Sequence, residues 1–203
     1  MPAVTGRFPR AAQQVPAHKL RGSQEAARCR PATMLTRTFE SHPQARVIEK
    51  AVEILRAGGL VVYPTDTIYG LGCDLHNKKA LEKLYRMKGL DEKSPLSFIS
   101  HDLSHVSEYA QVSNRAYRLI NKHLPGPYTF ILPATREVNR CMLFKRKTIG
   151  FRVPASNVCR MLSETLGTPI ISTSVPLWRE KVLNSGEVID DYFGHQIDIE
   201  VVK

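Results

Sequence analysis

Tyr63-Pro64-Thr65-Asp66-Thr67-Ile68-Tyr69-Gly70-Leu71-Gly72-Cys73-Asp74 is the stretch on which the reading of this chain turns. It follows Gly58-Gly59 and the apolar run Leu60-Val61-Val62-Tyr63, which reads as a strand. Pro64 ends that strand, because it has no N–H to give a central ladder. A row of short hydroxyls, one carboxylate, an aromatic and two glycines then leaves the strand's C-terminal end, where open α/β sheets bind ligands. Thr65 and Thr67 offer small donors and acceptors, and Tyr69 offers a flat wall with a polar tip. Gly70 and Gly72 allow positive φ or a close backbone approach to a ligand. Read as local structure alone, the same residues make a tight turn in which Asp66 and Thr67 cap their own backbone.

Around this stretch the chain alternates helix and strand. Val47, Ile48, Ala51, Val52, Ile54 and Leu55 recur at helical spacing, with Gly58 as the stop. Asn77 is placed to cap a helix whose inner face is Ala80, Leu81, Leu84 and Met87. A strand follows at 96–99, then helices around 102–109 and 113–122, the second capped by Ser113 or Asn114. Strands are predicted at 128–133 and 148–153, a helix at 156–166, a strand at 169–173, a helix near 186–193 and a strand at 196–202. No internal repeat is visible. The pattern predicts a single α/β domain, a twisted mixed sheet with covering helices, and 203 residues suffice for one core.

Three further stretches accompany the first in fixed order: Leu124-Pro125-Gly126-Pro127-Tyr128-Thr129-Phe130-Ile131-Leu132, Lys147-Thr148-Ile149-Gly150-Phe151-Arg152-Val153-Pro154, and Ile171-Ser172-Thr173-Ser174. With the first they resemble the YrdC/YciO family, whose best-known members make threonylcarbamoyl-adenylate. The resemblance implies a curved sheet around a concave, positively charged cavity, and a reaction joining L-threonine, bicarbonate and ATP with Mg2+, for the threonylcarbamoyladenosine modification of tRNA. On that reading Thr65, Thr67 and Tyr69 belong to the amino-acid end. Arg152 grips a carboxylate or phosphate bidentately. Thr129, Ser172 and Ser174 bond nucleotide or carbamate oxygens, and Lys88 faces the phosphates. Lys88 and Arg152 are the catalytic candidates. Without the resemblance, Arg152 reads as an outward strand residue and Lys88 as a solvated helix-end cation.

The chain departs from the family at several points. Catalytic members carry Lys-x-Arg and Ser-x-Asn pairs, where this chain has Lys88-Gly89-Leu90 and Ser174-Val175-Pro176. Leucine cannot donate to a phosphate, and proline cannot replace an amide. Each charge-assisted bond lost is worth about 1.5–3 kcal/mol. Lys93-Ser94-Pro95-Leu96 shifts a lysine by one place, and the Ser-Thr-Ser ending without asparagine is nearer the YciO branch. The chain also stops at Lys203, where relatives continue with a further strand, as in a truncated or short form. Whether an enzyme remains is left open by these residues. The alternative is a protein that binds tRNA or double-stranded RNA without synthase activity, through Lys145-Arg146-Lys147 beside Arg152.

Charge is uneven. The net charge is +10, yet residues 1–38 hold seven Lys/Arg against Glu25 alone, with Phe8 their one aromatic. Such a segment cannot bury enough apolar surface to order itself, which sets the domain at 39–203. Its composition fits an organellar transit peptide in part, placing the protein in a mitochondrion or plastid. Otherwise translation starts near Met34 and the protein is cytoplasmic. No apolar run approaches the ~20 residues of a membrane span, so a soluble protein without a membrane partner is expected. Cys29, Cys73, Cys141 and Cys159 are scattered and read as intracellular thiols. His101 and His105 stand at i,i+4, but the sequence offers them no third ligand, so no metal is expected. Trp178 falls in the altered segment and carries no reading.

Overall fold

The structure, a computed structural model, describes residues 34–91, 94–175, 185–193 and 196–202. Residues 1–33, with the transit-peptide reading they carry, and Lys93, Pro176 and Trp178 lie outside the described residues.

The elements run β1 (Met34–Arg37), α1 (Ala45–Arg56), β2 (Val61–Tyr63), β3 (Gly70–Asp74), α2 (Lys78–Lys88), β4 (Ser97–Ile99), α3 (Val106–Tyr109), α4 (Asn114–Asn121), β5 (Phe130–Pro133), α5 (Arg136–Cys141), β6 (Thr148–Arg152), α6 (Asn157–Leu166), β7 (Ile170–Ser174), α7 (Gly186–Phe193) and β8 (Ile199–Val202). Local chemistry places several boundaries as expected. Asn77 accepts from the Ala80 amide and Ser113 from that of Ala116. Ser156, which the sequence reading did not name as a cap, accepts from the Cys159 amide at the start of α6. Gly58, just past α1, takes φ 86°, the left-handed conformation that favours glycine.

Eight strands form one mixed sheet in the order β1-β8-β2-β3-β7-β4-β6-β5. β1, β8 and β2 are mutually parallel, as are β4 and β6, while the remaining neighbours are antiparallel. Both faces are buried, which explains near-continuous apolar strands. On one face Val61, Tyr63, Ile99, Ile170, Ile199 and Val201 pack with α1 and α6. On the other, Leu60, Val62, Leu71, Phe98, Phe151 and Ile171 pack with α2, α3, α5 and α7.

Three elements correct the sequence reading. Residues 34–37 are a strand, parallel to β8, so the ordered domain begins within the segment read as disordered. The backbone partner that orders β1 lies some 165 residues away, Met34 facing Ile199, and no local pattern announces it. Gly70–Asp74 form a strand, not a glycine-rich loop. α5 follows β5 where no helix was read.

Candidate functional site

One row of small residues crosses the sheet. Gly72 on β3 pairs with Ser172 on β7, Ser172 with Ser97 on β4, and Ser97 with Gly150 on β6. Directly paired residues share a face, here the one that α1 and α6 cover farther along, since Tyr63 reaches Ser172 there. Small side chains in register leave a hollow. Thr65, Thr67, Ile68, Tyr69, Gly70, Ser97, Ile99, Thr129, Arg152 and residues 172–174 line it, around about 160 Å³. A larger hollow of about 690 Å³ shares Ser97 and Thr129 with the first, and its walls include Lys145, Arg146 and Lys147.

The hollow therefore brings together Thr65, Thr67, Tyr69, Thr129, Arg152, Ser172 and Ser174, from all four motifs. Their states differ from the free side chains the sequence suggested. Thr65 is buried, donates to the Ile68 carbonyl at 2.7 Å and accepts from the Thr67 amide at 3.0 Å. Its hydroxyl holds the loop shape first, a role the tight-turn reading had given to Asp66 and Thr67; the Asp66 carboxylate turns instead to Arg152 and the Ala155 amide. Tyr69 is buried among apolar residues. Thr129 and Ser174 are exposed. Ser172 accepts from the Tyr63 hydroxyl at 2.6 Å, and burial pushes the Tyr63 pKa up, keeping that phenol a donor.

Gly70 and Gly72 do not take positive φ or shape a loop, as the sequence reading proposed. They are strand residues whose missing side chains accommodate Tyr63: a Cβ at Gly72 would lie 3.0 Å from its ring and 2.6 Å from Ile170 Cγ2.

Arg152 stands at the end of β6 with its side chain in the hollow. Its Nη2 donates to the Asp66 carboxylate and to Thr67 Oγ1, the latter at 3.0 Å. Asp66 also accepts from the Ala155 amide at 3.1 Å. The guanidinium is held by the signature loop itself, and Nε is buried without a hydrogen-bond partner among the described residues. Asp66, Ser97 and Ile99 are the site residues that sequence reasoning missed. Asp66 stood in the quoted stretch, and Ser97 was legible only as a small residue on a short strand.

Lys88, at the end of α2, donates to the Ser174 carbonyl at 2.5 Å and lies 3.3 Å from Ser174 Oγ. It is partly buried, neither solvated nor free, and burial pushes its pKa down to about 8. The adjacent Leu90 packs on the apolar core. Among the basic triplet, Lys145 and Lys147 are exposed. Arg146 instead turns inward, donating to the Tyr85 hydroxyl at 2.6 Å and the Ser94 carbonyl at 2.9 Å. That corrects the reading of three equivalent surface cations.

The domain model covering Sua5, YciO and YrdC, described as telomere recombination, matches residues 53–203. The chain belongs to the Sua5/YciO/YrdC family. Among family members, the uncharacterized protein YciO of Escherichia coli is 44% identical over 160 residues, 78% of each chain. The crystal structure of E. coli YciO gives a TM-score of 0.76 at 41% identity, covering 83% of both chains. The threonylcarbamoyl-AMP synthase of Vibrio vulnificus is 28% identical over 155 residues, 75% of this chain and 83% of that one. P. abyssi Sua5, solved in complex with L-threonine, gives a TM-score of 0.77 at 25% identity, over 84% of this chain and 50% of that one. The single-domain mixed α/β sheet is thus the Sua5/YciO/YrdC fold. Among its described residues no helix is long and apolar enough to cross a membrane.

Proposed function

We propose that the chain is a threonylcarbamoyl-adenylate synthase-like nucleotidyltransferase, using L-threonine, bicarbonate and ATP in the modification of tRNA. The observation that carries this reading is the convergence of four motifs on one hydroxyl-lined hollow beside a larger cationic one. The synthase relative from V. vulnificus and the threonine complex of Sua5 support it.

The smaller hollow, about 160 Å³, suits one small amino acid, with Ile68 and Ile99 as apolar surface for a methyl group. Arg152 would take the carboxylate through donors that Asp66 leaves free. Threonine's amine and bicarbonate give a carbamate with loss of water, and a carbamate oxygen attacks the α-phosphorus of ATP, expelling pyrophosphate. Thr129, Ser172 and Ser174 would bond nucleotide or carbamate oxygens. The protein's part is position and positive charge where negative charge gathers. Among the described residues neither hollow is lined by a carboxylate, which suits Mg2+ as a companion of the ATP phosphates.

The test uses the whole chain with L-threonine, bicarbonate, ATP and Mg2+. Threonine-dependent pyrophosphate release is expected, and Leu90→Arg with Pro176→Asn should raise it by about tenfold or more, given about 1.5–3 kcal/mol per restored bond. No threonine-dependent release from that double variant would end this reading.

Lys88 supplies a pH signature. Held near 8 by burial, it regains its charge beside a bound phosphate, so ATP binding takes up protons. Affinity should fall as pH rises through about 8, and calorimetry between pH 7 and 9 should show the slope vanish in Lys88→Met. Stability alone runs the other way: the unfolded lysine, near 10.4, binds more protons than the folded one between those values, so the folded state gains as pH rises across them. A flat affinity profile in the unmodified chain would remove Lys88 from the ligand contacts.

A second reading, duplex RNA binding, is favoured by the exposure of Lys145 and Lys147 at the larger hollow. Because Arg146 serves the interior, the informative variant is Lys145→Ala/Lys147→Ala. The slope of log affinity against log salt should drop by about 1–2. Unchanged binding of this variant would return both lysines to the solvent.

A further inference from the structure

The segment that follows β6 walls a third cavity, about 750 Å³, which the reaction proposed above does not use. Its lining includes the apolar Leu103, Leu124, Pro125, Val153 and Pro154 together with His101 and Asp102. The sequence reading gave His101 and His105 no third ligand and passed over Asp102. The fold supplies one from the residue between them.

His101, Asp102 and His105 each present a ligand atom within 4.8 Å of the other two. The imidazole rings meet nearly perpendicular, 85°, with centroids 4.6 Å apart. His101 Nε2 stands 3.6 Å from Asp102 Oδ2. Two donors bound at ~2.1 Å to one tetrahedral ion sit about 3.4 Å apart, so this pair already has ligand spacing, and a ligand atom of His105 belongs to the same 4.8 Å group. The carboxylate is fixed in place: Oδ1 accepts from the Ser104 amide at 3.0 Å and that of His105 at 3.3 Å, and Oδ2 from the Ser104 hydroxyl at 2.7 Å. Oδ2 keeps a lone pair for a further partner.

We propose that His101, Asp102 and His105 form a binding site for a divalent transition-metal ion of the zinc class. Two imidazoles and one carboxylate match the borderline softness of such ions and not the all-oxygen preference of Mg2+ or Ca2+. Three protein ligands leave a coordination position open, and the adjoining cavity gives a small ligand room to reach it. The site is separate from the threonine and ATP hollows and stands or falls independently of the synthase reading.

The test titrates Zn2+ into the full chain, tag-free and stripped with chelator, followed by calorimetry and thermal denaturation. One equivalent should bind at micromolar or tighter affinity and raise Tm, with Mg2+ giving no such rise. His101→Ala and His105→Ala should each weaken Zn2+ binding by about tenfold or more. Asp102→Asn can still accept from the Ser104 and His105 amides, so its metal-free Tm should match the parent while its Zn2+ affinity falls. His76→Ala/Cys141→Ser, which removes the imidazole and thiol 3.7 Å apart elsewhere in the molecule, should leave the titration unchanged. Absence of binding below ~100 µM Zn2+ would overturn the proposal. So would full binding in His101→Ala/His105→Ala, or loss of binding only in the His76/Cys141 variant.

Discussion

Arg152→Ala should abolish ligand binding at the small hollow and cost about 3–5 kcal/mol of stability, the penalty for breaking a buried ion pair. The size follows from what is left behind. Asp66 and Arg152 have side chains only 11% and 16% exposed, so the orphaned carboxylate keeps a charge with little access to water. It retains one donor, the Ala155 amide. The two effects separate in a second variant, Arg152→Ala/Asp66→Asn. Its neutral amide oxygen still accepts from Ala155, so most of the stability should return. The ligand-facing donors do not return with it, so threonine binding stays lost. Chemical denaturation and calorimetry on both variants check this. Recovery of binding in the double variant would make Arg152 a loop brace and nothing more.

Gly72→Ala is the smallest substitution expected to do large damage. The new methyl must fit 2.6 Å from Ile170 Cγ2, 3.0 Å from the Tyr63 ring and 3.2 Å from the Ile171 carbonyl. The Tyr63 ring cannot yield without disturbing its bond to Ser172, and a backbone carbonyl cannot yield cheaply. Overpacking of this kind costs about 1–3 kcal/mol, or roughly 2–12 °C in Tm for a chain of this size. Because Ser172 lies under the hollow, threonine affinity should fall along with Tm. Gly167→Ala supplies the contrast: no atom stands within 4 Å of its Cβ, yet φ is +83°, so any loss there is backbone strain without an effect on the site. Equal threonine affinity in Gly72→Ala and the parent would detach Tyr63 from the hollow.

Periodicity and caps carried most of the fold. The helical faces of α1 and α2, the Asn77 and Ser113 caps and the apolar runs of β2 and β8 were legible because each is a local device. β1 was not, since four residues beside a basic segment gain order only from a distant strand. β3 was not, since Gly70 and Gly72 look like a loop until the Tyr63 ring they accommodate is known. The site divides in the same way. Residue types and motif order indicated which side chains would meet. They could not indicate that Arg152 already holds Asp66, that Thr65 shapes its own loop, or that Arg146 is turned toward Tyr85. Those facts depend on side-chain direction, which follows from register across the sheet. Leu90 illustrates the limit: as a missing donor it was plain from the sequence, as a core contact it was not.

The position of β8 has a consequence for how the molecule comes to be made. β8 lies between β1 and β2, pairing Val61 and Met34 alike with Ile199. While the polypeptide is being synthesised, these two strands emerge early and must keep bare edges until residue 202 has left the ribosome. Closing the gap joins segments well over a hundred residues apart, the kind of pairing that slows folding. Until then an unpaired apolar edge is open to another chain. Yield in the cell should therefore depend on chaperone supply more steeply than the stability of the finished sheet would suggest.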